Sequence, residues 1–155
     1  TSFLSTLALI RETFSAYAVL LPFLFAWITD TGGYFAGSNF GKHKLAPKLS
    51  PKKTIEGSVG GILLCIVCSF IYLFILEKFF SYVLIDNMAV LKVLLLSTVC
   101  SVISQLGDLS FSAIKREYGI KDYGKLLPGH GGILDRFDSV VFTAPTVYIF
   151  LLLSL

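Results

Sequence analysis

Residues 110–138 read SFSAIKREYGIKDYGKLLPGHGGILDRFD, and long apolar segments flank this stretch on both sides. From Ser112 to Asp138 it carries nine charged residues and one of the two histidines of the chain, His130. Charge is costly inside a bilayer, so such a polar island between apolar runs indicates membrane helices joined by a polar segment. We expect the chemistry of the protein to lie in this island.

The composition of the whole chain supports a membrane location. Of its 155 residues, 55% are hydrophobic and 15% are charged, and the mean hydropathy is +0.79. Soluble domains have about 25% charged residues. The composition therefore predicts an integral membrane protein with a single domain over residues 1–155. The chain shows no secretory signal. Thr1 is not an initiator residue, so we expect the chain to be a fragment or a processed form.

The apolar runs predict an all-α fold with about four transmembrane helices, over residues 14–35, 58–76, 88–114 and 139–155. Residues 1–12 are expected to be the tail of an upstream helix or an interfacial segment. Pro22 is expected to kink the first span, and glycines at 57, 60 and 61 permit close packing of the second. Cys65-x-x-Cys68 could suggest a metal or redox site, but cysteines within apolar runs are better explained as small hydrophobic residues.

The distribution of charge predicts an orientation. Two basic segments, 38–57 and 115–138, are separated by two predicted spans and therefore lie on the same side of the membrane. The connection 77–87 between those spans has a net charge of −1. The positive-inside rule then places both basic segments in the cytoplasm. We expect a polar pocket within the membrane that faces the cytoplasm.

The end of the third predicted span carries a polar stripe with helical spacing, formed by Ser101, Ser104, Asp108, Ser112 and Lys115, with Gln105 beside it. Such a stripe must face protein or water. Hydrogen bonding between helices would explain the serines alone. A carboxylate within a membrane is costly unless it is paired or binds a cation, so Asp108 and Asp30 are candidate functional residues.

Asp135 and Asp138 are three residues apart, a spacing that places both on one helix face. Carboxylate oxygens are the ligands that Mg²⁺ prefers. A solvated helix start is the alternative explanation, because acidic residues favour helix N-termini. The availability of Asp108 from another helix favours a metal site.

Two further segments are suited to phosphate groups. The glycine-rich turn 128–132, which includes His130, precedes a predicted helix and could present backbone N–H groups to an anion. The segment SPKKTIEG at 50–57 offers lysines, although it is not a Walker loop. An ordinary turn and attraction to anionic lipid are the respective alternatives. Together these features indicate phosphoryl or nucleotidyl transfer to a lipid, without identifying the nucleotide.

A family resemblance narrows this interpretation. Residues 112–138 follow the pattern S-x-I-K-R-x4-K-D-x-G-x2-L-P-x-H-G-G-I-x-D-R-F-D, which resembles the signature of the phosphatidate cytidylyltransferases, or CDP-diacylglycerol synthases. The segments DTGGYFAG at 30–37, FGKHKLAP at 40–47 and SPKKTIEG at 50–57 resemble another region shared by this family. The resemblance covers about residues 27–145.

The resemblance implies a multi-span enzyme of phospholipid biosynthesis that condenses CTP with phosphatidic acid to give CDP-diacylglycerol and pyrophosphate, with Mg²⁺ as cofactor. It implies a homodimer in the lipid bilayer of a bacterial inner membrane, with the active site facing the cytoplasm and no nucleic-acid partner. This chain would be the C-terminal catalytic half.

Carried onto this sequence, the resemblance implies three groups of site residues. The metal ligands are Asp108, Asp135 and Asp138, and a second cation is left open. The catalytic residues are Lys115, Arg116, Lys121, Asp122, His130 and Arg136. The substrate-binding residues are Ser50, Lys52, Lys53, Thr54, Glu56, Ser112, Gly131 and Gly132. The basic side chains would hold phosphates, and His130 would orient a phosphate or protonate a leaving oxygen. Asp30 and Glu56 would position the polar segment 38–57 or a second cation.

Other functions remain open from the sequence. A CDP-archaeol synthase would perform the same reaction on an ether lipid, and a polyprenol kinase would transfer the γ-phosphate of CTP. A transporter with an ion path over Asp30, Asp108 and Lys92 is disfavoured because the charges cluster at one membrane face. A CDP-alcohol phosphotransferase is disfavoured because its D-G-x-x-A-R pattern is absent.

Overall fold

A computed structural model of the chain describes residues 2–47, 49–80, 90–120, 123, 132 and 134–154. The described elements are α1 (Ser2–Thr13), α2 (Leu20–Phe40), β1 (Lys44–Ala46), β2 (Ser50–Thr54), α3 (Ile55–Phe80), α4 (Val90–Glu117) and α5 (Leu134–Ser154). The predicted helical architecture is confirmed, and a small antiparallel hairpin of β1 and β2 is added to it.

Three helices in the described ranges are long and apolar enough to cross a membrane: Ile55–Phe80, Val90–Glu117 and Leu134–Leu153. They correspond to the second, third and fourth predicted spans. The helix α2 is not among them, so the count of four spans remains a prediction. It begins at Leu20 rather than at residue 14, and Pro22 therefore lies in its first turn. A first-turn amide has no partner within its helix, so proline is tolerated there.

The helix α1 is part of the bundle rather than a peripheral segment. It packs against α5, and its Ile10 is fully buried. The central core joins all five helices and consists of Ile10, Ala18, Leu21, Phe25, Cys65, Leu96, Cys100, Val147 and Leu151. Cys65 and Cys100 lie in this core as free thiols, in agreement with their interpretation as small hydrophobic residues.

The contact between α2 and α3 is the most extensive in the bundle, and it depends on glycines. A Cβ atom added at Gly61 would lie 2.6 Å from the carbonyl oxygen of Thr29. One added at Gly57 would lie 2.6 Å from the carbonyl oxygen of Gly33. Both distances are shorter than van der Waals contact, so the two backbones approach closely only because these side chains are absent. The predicted role of these glycines in packing is confirmed.

The hairpin lies at the start of α3, within a segment that the sequence indicated only as a polar loop. Lys44 pairs with Thr54 and Ala46 with Ser50. Thr54 Oγ1 accepts a hydrogen bond from the backbone N–H of Gly57 at 3.1 Å and so caps α3. The backbone N–H of Ile55 donates to the carbonyl oxygen of His43 at 2.9 Å. These bonds hold the hairpin residues beside the ends of α2 and α3.

Candidate functional site

A cavity of about 280 Å³ lies where the hairpin meets α2, α3 and α4. Its walls are formed by Thr29, Asp30, Gly33, Tyr34, Leu45, Ser50, Lys52, Lys53, Thr54, Gly57, Ser58, Gln105 and Asp108. The volume is close to the lower limit of ~300 Å³ that is typical of small-molecule sites. The cavity therefore brings together the predicted phosphate-binding hairpin and the predicted metal ligand Asp108.

Three carboxylates from three different helices gather beside this cavity. Asp108 on α4 and Asp138 on α5 are close enough for their side chains to interact electrostatically. Asp30 on α2 interacts electrostatically with both of them. Carboxylates this close repel one another unless a cation or a proton lies between them. The arrangement is therefore suited to binding positive charge.

Lys53 on β2 supplies one positive charge to this cluster. Its ammonium group forms an ion pair with Asp108 and also interacts electrostatically with Asp30. The Nζ atom is buried, and within the described ranges it has no hydrogen bond of good geometry. The predicted phosphate-binding lysine and the predicted metal ligand thus contact each other directly.

Asp135 lies in a different environment from Asp138, although both belong to the DRFD segment. Its Oδ1 accepts from Lys115 Nζ at 3.0 Å, and its Oδ2 accepts from the backbone N–H groups of Tyr123 and Gly132, both at 2.9 Å. The side chains of Lys115 and Asp135 are 12% and 9% exposed. Asp135 therefore holds Tyr123 and Gly132 beside the start of α5, in the manner of a helix-capping residue.

The chemistry of the donors permits a test of whether Mg²⁺ fits. In the part of the chain that is described, no group of three or more His, Cys, Asp or Glu side chains is arranged to hold a metal. However, Mg²⁺ is usually bound by one or two carboxylates together with waters and substrate phosphates. The facing carboxylates of Asp108 and Asp138 fit that type of site. A ligand role for Asp135 remains a prediction.

The polar stripe on α4 faces protein, as predicted. Ser101 and Ser104 are fully buried, and Thr29 Oγ1 donates to Ser101 Oγ at 2.8 Å. Gln105 is hydrogen-bonded to Ser58 on α3 through the side chains of both residues, and its Nε2 donates to the Ser58 carbonyl oxygen at 3.3 Å. Ser104 Oγ has no hydrogen-bond partner among the described residues.

Several cavity residues were not identified from the sequence, notably Thr29, Tyr34, Leu45 and Ser58. Thr29 and Ser58 lie close to predicted site residues, and Tyr34 and Leu45 lie within segments that carry the family resemblance. These are the signals that could have indicated them. They line the cavity because of the way α2, α3 and the hairpin pack together. The spacing of residues along the chain carries no information about this packing.

The remaining predicted residues fall into two groups. Lys121, Asp122, His130 and Gly131 lie outside the described residues. Of the others, Arg116 and Arg136 are exposed, and Ser112 is half-buried on α4. Glu56 is not part of the cavity wall; its carboxylate accepts from the backbone N–H of His43 at 3.2 Å and lies 2.7 Å from the ring Nδ1. Glu56 therefore holds the hairpin against α3, which agrees with a positioning role.

Comparison with known proteins identifies the family. A profile described as the cytidylyltransferase family matches residues 1–154. The chain is 46% identical over 134 residues to the phosphatidate cytidylyltransferase of Staphylococcus saprophyticus, an alignment that covers 86% of this chain and 48% of the relative. It is 48% identical over 134 residues to that of Staphylococcus epidermidis, with the same two coverages, and 47% identical over 136 residues to that of Staphylococcus aureus, covering 88% of this chain and 49% of the relative.

The chain spans about half the length of the curated relatives that it matches. The family expected from residues 112–138 is the one found by comparison over nearly the whole chain. The chain belongs to the cytidylyltransferase family.

Proposed function

We propose that the protein containing this chain condenses CTP with phosphatidic acid to form CDP-diacylglycerol and pyrophosphate. The observation that carries the proposal is the meeting of Asp108, Asp138 and Lys53 beside a cavity of about 280 Å³. Facing carboxylates and a buried lysine are the groups that a metal-bound polyphosphate requires. The names of the relatives support cytidylyl transfer to phosphatidate in particular.

The residues of the chain define how such a reaction would proceed. Asp108 and Asp138 would hold Mg²⁺, which supplies charge neutralisation at the triphosphate. Lys52 and Lys53 on the cavity wall would bind phosphate oxygens. The phosphate of phosphatidic acid is already an anion near neutral pH and would attack the α-phosphorus of CTP in line with the departing pyrophosphate. A strong general base is therefore unnecessary, and the main task is to hold two anions together.

The placement of the site suits a lipid substrate. Lys53 precedes α3, and Asp108 lies in the last third of α4, so their ion pair brings the first basic segment to the end of α4 from which the second begins. A lipid phosphate lies at a membrane surface, where such a cluster could reach it. We propose that this end faces the cytoplasm in a bacterial inner membrane and that the protein is a homodimer.

A labelling assay tests the proposed reaction. The complete protein is supplied with phosphatidic acid, Mg²⁺ and CTP labelled at either the α- or the γ-phosphorus. We expect the α-label to enter the lipid with release of pyrophosphate, and Asp108→Asn to abolish the transfer. Entry of the γ-label would instead demonstrate a lipid kinase, and failure of both labels to enter the lipid would contradict the proposal. An ether-linked phosphatidic acid tested in parallel distinguishes the related archaeal-type substrate.

A further inference from the structure

The contact between Lys53 and Asp108 places two predicted roles in conflict. Lys53 was expected to bind substrate phosphates, and Asp108 was expected to bind a metal. In the structure the two side chains form an ion pair with each other, and both are about three-quarters buried, with exposures of 24% and 23%. Two positive charges at one carboxylate repel each other, so Lys53 and a divalent cation compete for Asp108.

The charges around this ion pair indicate which arrangement is stable without substrate. Asp30, Asp108 and Asp138 carry up to three negative charges. Lys53 contacts Asp108 and interacts with Asp30, whereas Lys115, which is paired with Asp135, interacts with Asp138. A buried carboxylate without a partner is strongly unfavourable. Lys53 therefore stabilises the cluster in the absence of a metal, and it does so at a carboxylate that the metal would also bind.

Lys53 is also placed to accept a new partner. An ammonium group can donate three hydrogen bonds, and the observed contact of the buried Nζ with Asp108 accounts for one of them. Lys53 lines the same cavity as Ser50 and Lys52, where a triphosphate would lie. Its side chain has four rotatable bonds, so the ammonium group can move without any movement of the strand.

We propose that Lys53 is a tethered counter-ion that competes with the divalent cation for Asp108 and transfers to a phosphate of CTP when metal and nucleotide bind together. The nucleotide part of this proposal rests on the proposed function. The exchange makes Asp108 a poor site for a free cation, because binding would leave the Lys53 ammonium group without its partner. Metal bound with a nucleotide provides that partner, so the two ligands bind cooperatively.

Binding of Mn²⁺ to the complete protein, followed by electron paramagnetic resonance of the free ion without nucleotide or lipid, tests the exchange. Lys53→Met removes the competing charge and keeps a similar apolar side chain. We expect it to tighten Mn²⁺ binding on the order of tenfold, because a competing cation has been deleted from the cluster. Lys52→Met is the matched control, since it removes the same charge from the same cavity without an observed contact to Asp108. We expect its effect to be less than about threefold, as for a screened charge.

Addition of CTP should favour Mn²⁺ binding by the wild type over Mn²⁺ binding by Lys53→Met. In the wild type, CTP should tighten Mn²⁺ binding, and this enhancement should be largely lost in Lys53→Met because no ammonium group is available for the phosphate. Unchanged or weaker Mn²⁺ binding by Lys53→Met without nucleotide would overturn the proposal. The titration without nucleotide does not depend on the lipid reaction, so its failure is separable from failure of the labelling assay.

A measurement on the wild type avoids reliance on a variant that could misfold. Reductive methylation of lysines, quantified by mass spectrometry, reports the accessibility of each ammonium group. We expect Mg²⁺ alone at saturating concentration to increase methylation of Lys53, and Mg²⁺ with CTP to reduce it again, whereas Lys78 at the far end of α3 should respond to neither. Methylation of Lys53 that is unaffected by saturating Mg²⁺ would overturn the exchange.

Discussion

At the scale of single residues, the two carboxylates of the DRFD segment, Asp135 and Asp138, have different partners. Their spacing of three residues predicts a shared helix face and a shared cation. In the structure Asp135 binds Lys115 and two backbone N–H groups, whereas Asp138 faces Asp108. The cause is that Asp135 lies in the first turn of α5, where a side chain can bend back to the preceding backbone. Asp138 lies one turn further along, where it meets α4.

This difference predicts opposite effects of equivalent substitutions on stability. Asp135→Asn weakens a charged hydrogen-bond network and should cost about 2 kcal/mol, seen as a lower Tm in detergent. Asp138→Asn removes a like charge from beside Asp108 and should leave the Tm unchanged or raise it. Thermal unfolding can be followed by the fluorescence of Trp27, the one tryptophan of the chain. A larger loss of Tm in Asp138→Asn than in Asp135→Asn would show that the assignment of these roles is wrong.

At the scale of elements, the close contact of α2 with α3 positions the cavity wall, because both helices contribute residues to it. The two helices carry glycines with very different surroundings. A Cβ at Gly61 would lie 2.6 Å from a backbone oxygen, whereas one at Gly33 would lie 3.6 Å from its nearest neighbour, the Gly57 oxygen. The first requires the helices to separate, and the second is an ordinary contact.

Alanine substitutions at these two positions therefore form a matched pair. Gly61→Ala should destabilise the protein by about 1–3 kcal/mol, because overpacking outweighs the gain in helix propensity. Gly33→Ala gains up to about 1 kcal/mol of helix propensity without a clash, so its Tm should be unchanged or higher. Thermal unfolding of both variants in one detergent measures the difference. Equal Tm changes would contradict the observed packing of α2 on α3.

The hairpin is the second element that decides the geometry of the site. Glu56 holds it by accepting hydrogen bonds from His43, and the hairpin carries Lys52 and Lys53 into the cavity. Glu56 does not line the cavity itself, so it acts through the hairpin as a positioning residue.

We expect Glu56→Ala to raise the KM for CTP several-fold with a smaller change in kcat, because the substitution displaces Lys52 and Lys53, which bind the substrate. Glu56→Gln keeps an oxygen acceptor for the His43 N–H and should restore part of the affinity. Glu77→Ala, at the opposite end of the same helix, is the control and should leave KM unaltered. Steady-state kinetics of the complete protein would measure these values, and an effect confined to kcat would argue against a positioning role.

At the scale of the whole molecule, the ion pairs among the described residues lie at one end of the bundle. Lys53 meets Asp108 there, and Lys115 meets Asp135, so these residues of the two basic segments lie at the end opposite to Phe80, the last residue of α3. This arrangement agrees with the orientation predicted from charge. The side of the membrane remains a prediction.

Cysteine labelling tests this orientation in intact cells or sealed vesicles. The three native cysteines are replaced first, and single cysteines are then introduced at Lys42, Arg116 or Lys78, which are all exposed. An impermeant thiol reagent should label Lys42→Cys and Arg116→Cys from the cytoplasmic side and Lys78→Cys from the other. Labelling of all three positions from one side would exclude the predicted spans on either side of the connection.

The sequence by itself determined the three long apolar helices, the capacity of the glycines for close packing and the family, because these depend on local composition, periodicity and a contiguous motif. It also indicated that Asp108, Asp138 and the lysines at 52 and 53 belong to one site. Only the tertiary structure decided which charges pair, since a pairing depends on distances between separate elements. Thus Lys53 from the hairpin contacts Asp108, and Lys115 from α4 binds Asp135. Periodicity reports the face of one helix and carries no information on what another element presents to it.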